Sequence, residues 1–292
     1  MTNGAGNVDV SVIIPVYNDR EGLDRVLSDI REALSDEFRY EIIVVDDGST
    51  DGLDGEGLRE RIDQFHRHKQ NLGYGAAIKT GLRYSRGDRI VITDADGTYP
   101  AGAIPKLVSA LDDCEMAVGA RIGRNVKIPI TRQPAKLFLR FLANYLSEQK
   151  IPDLNSGLRA FRKKEAEPFY HILPRGFSLT TTLTLAFLCD DLRVEYIPID
   201  YHKRKGKSKI RPVRDTKNIL LTILRTILYF NPLKVCLPLG MFFFFLALLV
   251  LVYSGLVLDR IMDGTISVLT LGGVQIIAIG LLADLIARRS GR

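Results

Sequence analysis

At 292 residues the chain has room for one large or two small domains, so length forbids little. Hydrophobic residues make up 46% and charged residues 25%, a balance that would pass for a soluble enzyme if the apolar residues were evenly spread. They are not: most of the excess follows residue 232, which points to membrane spans there and leaves a buried helical hairpin of a soluble domain as the alternative, and the net charge of +6 draws on one basic stretch just before it.

The N-terminal stretch MTNGAGNVDVSVIIPVYND has no basic n-region leading into an apolar core and a small-residue cleavage site, so the soluble part is expected to stay in the cytoplasm. Cys114, Cys189 and Cys236 have no metal-type spacing and fit a reducing compartment. Through the first 120 residues, short apolar runs at Val10–Val16, Glu41–Val45, Arg89–Thr93 and Glu115–Gly119 predict strands. Amphipathic segments at about 20–35, 74–85 and 102–111 predict helices between them. This alternation is the pattern of βαβ units, an α/β fold with a mostly parallel sheet flanked by helices.

Ligands of such sheets sit beyond the carboxyl ends of the strands. Three predicted strand ends carry polar residues there: Tyr17-Asn18-Asp19, Asp46-Asp47-Gly48-Ser49 and Asp94-Ala95-Asp96-Gly97. Turn and cap formation accounts for Asp47, Ser49 and Thr50 nearly as well as ligand binding does. Asp94 and Asp96 differ, because one cap would suffice and two neighbouring carboxylates repel. Their i, i+2 spacing lets them share a hard cation, Mg²⁺ or Mn²⁺, carrying a diphosphate. Gly73-Tyr74-Gly75 is similar to a dinucleotide fingerprint, but the third glycine is missing and the pair falls too late after the first strand. These glycines read instead as the start of a helix packed close to the sheet.

Residues 131–146 (TRQPAKLFLRFLANYL) place Arg132, Lys136 and Arg140 on one helical face and Leu137, Phe138, Phe141, Leu142 and Tyr145 on another. Residues 216–230 likewise gather Ile219, Leu220, Ile223, Leu224, Ile227 and Leu228. Both segments suit either a headgroup layer or core packing. Between them, residues 202–217 carry eight Lys or Arg against one Asp. Aromatics for base stacking are missing there, so phosphate esters or anionic headgroups are expected rather than nucleic acid.

Val235–Leu258 contains no charge, and Ile266–Ala287 contains only Asp284. As helices they would reach roughly 33 to 36 Å, enough for a hydrocarbon core of about 30 Å. Basic residues flank the outer ends of this pair, so two spans with both termini and the soluble domain on the cytoplasmic side of the cell membrane are expected. Asp284 sits one turn from Arg288, an interfacial i, i+4 pair. The domain plan is therefore a catalytic domain over 1–211, an amphipathic interface helix over 212–232 and a transmembrane hairpin over 233–292.

VSVIIPVYND, IIVVDDGSTDG, NLGYGAAIKTGL, VITDADGTYP, DLNSGLRAF and RKGKSKI, in this order, resemble the family 2 glycosyltransferases of the dolichol-phosphate mannose synthase branch. The resemblance covers roughly residues 8–232. It implies a GT-A, Rossmann-like fold and transfer of a hexose-type sugar, with inversion, from a nucleotide-sugar such as GDP-mannose or UDP-glucose to a dolichyl or undecaprenyl phosphate. By the same resemblance Pro15, Tyr17, Asn18, Asp46 and Asp47 grip the nucleoside. Asp94 and Asp96, with Ala95 between them, form the metal motif. Arg121 and Arg132 fall where relatives hold the acceptor phosphate, and Arg204 and Lys209 fall in a phosphate-contacting basic motif. Four-fold self-association is a further implication of the family. Many relatives have a glutamine-containing turn where Gly97-Thr98-Tyr99 stands, so the resemblance supplies no further side-chain ligand to the metal.

A phosphate monoester has its second pKa near 6 and is largely a dianion at pH 7, so the acceptor can attack without a general base. Asp153 is the alternative, a candidate base. Two other functions compete: a processive polysaccharide synthase, whose usual Q-x-x-R-W element this tryptophan-free chain lacks, and a non-catalytic membrane scaffold binding nucleotide-sugars or lipid.

Overall fold

The structure, a computed structural model, describes residues 8–34, 37–122, 141, 143–145, 148–201, 212–258 and 260–289. The chain divides into two compact units, Met1–Ile223 and Leu224–Arg292.

The first unit is built on a seven-stranded sheet. Its strands are β1 (Val10–Val16), β2 (Tyr40–Asp46), β3 (Gln64–Arg67), β4 (Arg89–Ile92), β5 (Met116–Ala120), β6 (Arg159–Arg162) and β7 (Val194–Pro198), in the order β3-β2-β1-β4-β6-β5-β7. Helices α1 (Arg20–Leu34), α2 (Tyr74–Tyr84), α3 (Ile104–Ala110), α4 (Lys163–Ala166) and α5 (Leu179–Cys189) accompany it. The predicted strands and helices of the first 120 residues are all present, with ends that agree to within about two residues. β1 and β2 are buried over almost every position, as expected of central parallel strands covered on both faces. In α1, Leu23, Val26, Leu27, Ile30 and Leu34 are buried, the i, i+3, i+4, i+7 stripe that docks on the sheet. Each such side chain contributes about 2 kcal/mol at most on burial.

Strands β3, β6 and β7 are additions to the sequence reading, and β6 makes the sheet mixed. It runs antiparallel to both neighbours, with Ile92 opposite Arg159 and Val118 opposite Arg159. β1, β2, β3 and β4 run parallel, and β5 runs parallel to β7. Because β6 lies between β4 and β5, both of those point the same way. The reversal of one strand has a functional consequence. The carboxyl ends of six strands and the segment leading into β6 all meet at one edge of the sheet.

Helix α5 is buried from Leu179 through Leu188 on every face, which makes it a core helix and not a surface one. It is tied to β6 by Arg159, which is fully buried and donates to Thr180 O (2.8 Å), Thr184 Oγ1 (2.9 Å) and Ser156 O. Burial lowers the pKa of that guanidinium.

Helix α6 (Pro212–Phe230) crosses the boundary between the two units. Among its described side chains, Ile223, Thr226, Ile227 and Phe230 are buried, while Leu228 of the anticipated apolar face is exposed. The second unit contains α7 (Leu233–Val257) and α8 (Asp263–Arg289), each with a 25-residue stretch long and apolar enough to cross a membrane. Gly240, Gly273 and Gly280 let the two helices approach closely: Gly240 abuts Ile277, and Gly280 abuts Cys236. Large apolar side chains such as Phe242, Phe245, Leu256, Val268 and Leu282 stay exposed, as suits a hairpin whose solvent is lipid.

Candidate active site

At the edge where the strands end, β1, β2 and β3 form one wall. Asn18 takes a left-handed backbone (φ 48) and accepts at Oδ1 from Thr50 N (2.7 Å), while its own N–H donates to Ser49 Oγ (2.9 Å). Asp46 is fully buried: Oδ1 accepts from Ser49 N (2.8 Å), and Oδ2 lies 3.1 Å from Arg67 Nε, an ion pair without hydrogen-bond alignment. Asp47 accepts from Leu72 N (2.9 Å), Gly73 N (2.8 Å) and His68 Nδ1 (2.7 Å). The remaining nitrogen of His68 meets Thr80 Oγ1 at 2.9 Å. The turn contacts expected of Asp47, Ser49 and Thr50 are present, and the pairing of β1 with β2 sets Pro15, buried in β1, and half-buried Tyr17 beside Asp46 and Asp47.

The segment that Asp47 pins leads into α2, whose first residue, Tyr74, is the link to the second wall. Gly73 has φ 104, and at Gly75 a side chain would meet the carbonyl oxygens of Pro174 and Gly176. The close approach expected of these glycines is therefore to the 174–176 loop. The approach to the sheet is made one helical stretch later, by Gly81 against Ile13.

Tyr74 donates its hydroxyl to Asp94 Oδ1 at 3.0 Å, and its ring stacks on Phe177 with centroids 5.4 Å apart. Burial, then the neighbouring Asp94 carboxylate, pushes the Tyr74 pKa well above the usual value near 10, so the phenol keeps its proton. Ala95 is buried, with its carbonyl against Gly22 of α1. Asp96 Oδ1 accepts from Thr98 N (3.1 Å) and Thr98 Oγ1 (2.6 Å). Gly157, just before β6, has its Cα toward Asp94: a Cβ there would lie 2.8 Å from Oδ2. The N–H of Gly157 donates to Tyr99 Oη at 2.6 Å. Tyr99 is buried, and burial raises its pKa.

Beyond Tyr99, the ring of Tyr201 stands edge-on at 5.4 Å, and the Arg121 guanidinium lies 5.3 Å over that ring. Arg121 is gripped by Asp153 through Nε (2.7 Å), Nη2 (2.9 Å) and its backbone N–H (3.1 Å). Burial works against the Arg121 charge, but the Asp153 hydrogen bonds outweigh it and raise its pKa. Both oxygens of Asp153 are thereby engaged, which occupies the lone pairs a base would use. Asn155 extends the chain to Thr181 of α5 (2.7 Å).

The structure therefore brings Pro15, Tyr17, Asn18, Asp46, Asp47, Asp94, Ala95, Asp96 and Arg121 to one edge. Arg132, Arg204 and Lys209 lie outside the described residues, as does most of the 131–146 segment and all of 202–211. Tyr74, Tyr99, Asp153 as ion-pair partner, and Gly157 were not assigned these roles from the sequence. Gly157 lies in DLNSGLRAF, one of the stretches that carry the family resemblance, and that was its only signal in the sequence. Two carboxylates with hard oxygen donors two residues apart suit Mg²⁺ or Mn²⁺, so the donor set at Asp94 and Asp96 fits such an ion. Among the described residues no cluster of three or more His, Cys, Asp or Glu forms a metal site.

A mostly parallel sheet of this strand order, with paired acids following β4, is the arrangement of the GT-A class of glycosyltransferases. Glucosyl-3-phosphoglycerate synthase from Mycobacterium tuberculosis, solved with Mn²⁺, UDP-glucose and phosphoglyceric acid, shares the fold with a TM-score of 0.59 at 20% identity, over 75% of this chain and 80% of that one. The chain belongs to glycosyl transferase family 2, whose profile matches residues 11–167, and residues 231–288 match the GtrB C-terminal hairpin. It is 31% identical to the dolichol-phosphate mannosyltransferase of Pyrococcus furiosus over 69% of its length, and spans 59% of that protein. It is 28% identical to the undecaprenyl-phosphate 4-deoxy-4-formamido-L-arabinose transferase of Proteus mirabilis over 96% of this chain and 88% of that protein.

Proposed function

We propose that this glycosyltransferase moves a hexose-type sugar, with inversion, from a nucleotide-sugar to a polyprenyl phosphate at the cytoplasmic face of the cell membrane. The observation that carries the reading is the paired acids Asp94 and Asp96 at the carboxyl edge of a GT-A sheet, in a chain that continues into an apolar helical hairpin. The Proteus relative, which is similar across the hairpin as well as the catalytic unit, is named for transfer to undecaprenyl phosphate.

In this mechanism Asp46, Asp47, Pro15, Tyr17 and Asn18 cradle the nucleoside. Asp94 and Asp96 would hold Mg²⁺ or Mn²⁺, which would supply positive charge to stabilise the departing nucleoside diphosphate. Arg121, whose charge is secured by its ion pair with Asp153, attracts the acceptor phosphate in this reading, and Arg132, Arg204 and Lys209 supply further cations. The acceptor dianion attacks the anomeric carbon directly, and no protein base is needed. The protein's contribution is alignment and electrostatic screening of two phosphate groups. The hairpin holds the enzyme at the bilayer that contains the acceptor.

The test is to incubate membranes with labelled UDP- and GDP-sugars and polyprenyl phosphate, with and without EDTA. A lipid-extractable glycoside is expected, lost with chelation and regained on adding Mn²⁺ or Mg²⁺. Asp96→Asn should abolish transfer with membrane insertion unchanged. Near-normal turnover by that variant, or full activity in EDTA, refutes the metal assignment. Nucleotide binding without product from any donor favours a scaffold.

A further inference from the structure

The acids of the crevice are held in different ways. Asp153 is matched to a guanidinium, and Asp47 to an imidazole and two backbone amides. Asp94 and Asp96 each receive a side-chain hydroxyl on Oδ1: Tyr74 at 3.0 Å and Thr98 at 2.6 Å. A hydroxyl donor fixes a carboxylate's orientation while adding no formal charge of its own to the site. The two donors come from separate places, Tyr74 from the start of α2 and Thr98 from the turn after β4.

Each donor is itself restrained. Tyr74 is held by the Phe177 ring and by the tight packing of Gly73 and Gly75 on the 174–176 loop, where Ala76 N also donates to Arg175 O (3.0 Å). Thr98 is almost fully buried, and its neighbour Gly97 turns the chain at φ 66 so that the Thr98 N–H and hydroxyl reach the same oxygen. A side chain that merely filled the core at 74 would need no hydroxyl, and burying one is tolerable only with a partner.

We propose that the hydroxyls of Tyr74 and Thr98 are positioning groups that clamp one oxygen each of Asp94 and Asp96, presetting the pair for a divalent cation that carries a nucleoside diphosphate. This inference rests on the metal assignment above and adds to it the two residues that orient the acids. Partners of this kind are worth about 10- to 100-fold in metal affinity at other sites.

The full-length protein in detergent or nanodiscs is titrated with Mn²⁺ in the presence of UDP and, separately, of GDP, and bound Mn²⁺ is followed by electron paramagnetic resonance. Tyr74→Phe and Thr98→Val should each weaken Mn²⁺ binding about 10-fold, at the low end of that range, and alter the spectrum of the bound ion. Thr98→Ser, which keeps the hydroxyl, should restore wild-type affinity. Thermal melts of Tyr74→Phe and Thr98→Val should stay close to wild type, because the ring and the side-chain volume are nearly preserved, while Thr98→Ser should melt about 2–4 °C lower for the loss of one buried methyl. Wild-type Mn²⁺ affinity in both Tyr74→Phe and Thr98→Val, while Asp96→Asn loses Mn²⁺, overturns the clamp and leaves the metal assignment standing. Equal Mn²⁺ binding by wild type and Asp96→Asn overturns the metal assignment, and the clamp falls with it.

Discussion

Gly157→Ala separates function from stability. The added Cβ would stand 2.8 Å from Asp94 Oδ2 and 3.0 Å from its Cγ and Oδ1, against 3.4 Å at the lower edge of ordinary contact. The carboxylate must therefore retreat by about 0.6 Å. Its hydrogen bond from Tyr74, at 3.0 Å, is at the long end for O–H···O, so the retreat alters the geometry of that contact. Catalytic groups need placement within about 0.5 Å, and a 1 Å error costs on the order of 100-fold, so kcat/KM should fall about 10- to 100-fold. Stability should hardly change. The obstructing atoms are the tip of one side chain, the φ of Gly157 lies outside the left-handed region, and alanine loses less entropy on folding. The change in Tm should stay within about 2 °C. Gly75→Ala is the contrasting control: its Cβ meets the backbone of residues 174–176, which cannot swing aside, and about 1–3 kcal/mol of stability should be lost. Lipid-extractable product and melting of the purified protein are measured side by side. Wild-type transfer by Gly157→Ala, or loss of activity only in step with unfolding, refutes the placement of Asp94.

Two further outcomes follow from the ion pairs. Asp153→Ala leaves the mostly buried Arg121 guanidinium without its partner and should cost about 3 kcal/mol, seen as a Tm lower by about 6–12 °C; an unchanged Tm would contradict the pairing. Glu41, fully buried at the opposite edge of the sheet, accepts from Ser11 Oγ (2.6 Å), Gln64 Nε2 (2.8 Å) and Arg86 N (2.6 Å) and Nε (2.9 Å). Burial raises its pKa, but those hydrogen bonds outweigh it and hold the pKa below 4.5. A lowered folded pKa means stabilisation that is present above the unfolded value and lost as pH falls through the folded one. The Tm gap between wild type and Glu41→Gln should thus be largest near pH 7 and shrink as pH drops below about 4.5; a gap that widens with acid would be the wrong sign.

The legible parts of the fold share one property: their signal is local. β1, β2, β4 and β5 are apolar runs bounded by turn residues, and α1 carries its buried stripe at helical spacing. β3 (QFHR), β6 (RAFR) and β7 (VEYIP) are short, mixed in polarity and defined by their neighbours, so nothing within them announces a strand. α5 is buried all round, which erases the periodicity that would mark it. The site divides the same way. Asp94 and Asp96 stand out because two acids at a strand end repel unless something cationic joins them. Tyr74, Tyr99 and Gly157 carry no such mark, since their contacts reach across 20 and 58 residues of chain.

The sequence by itself determined the parallel core, the paired acids and the apolar hairpin, because alternation, charge repulsion and hydrocarbon length are written in consecutive residues. Only the tertiary structure decided which groups surround those acids. One antiparallel strand, β6, brings its leading segment to the edge where the others end, so Gly157 and Asp153 arrive beside Asp94 and Arg121. That meeting depends on strand direction, and strand direction is set by pairing across the sheet and not by any residue's own preference.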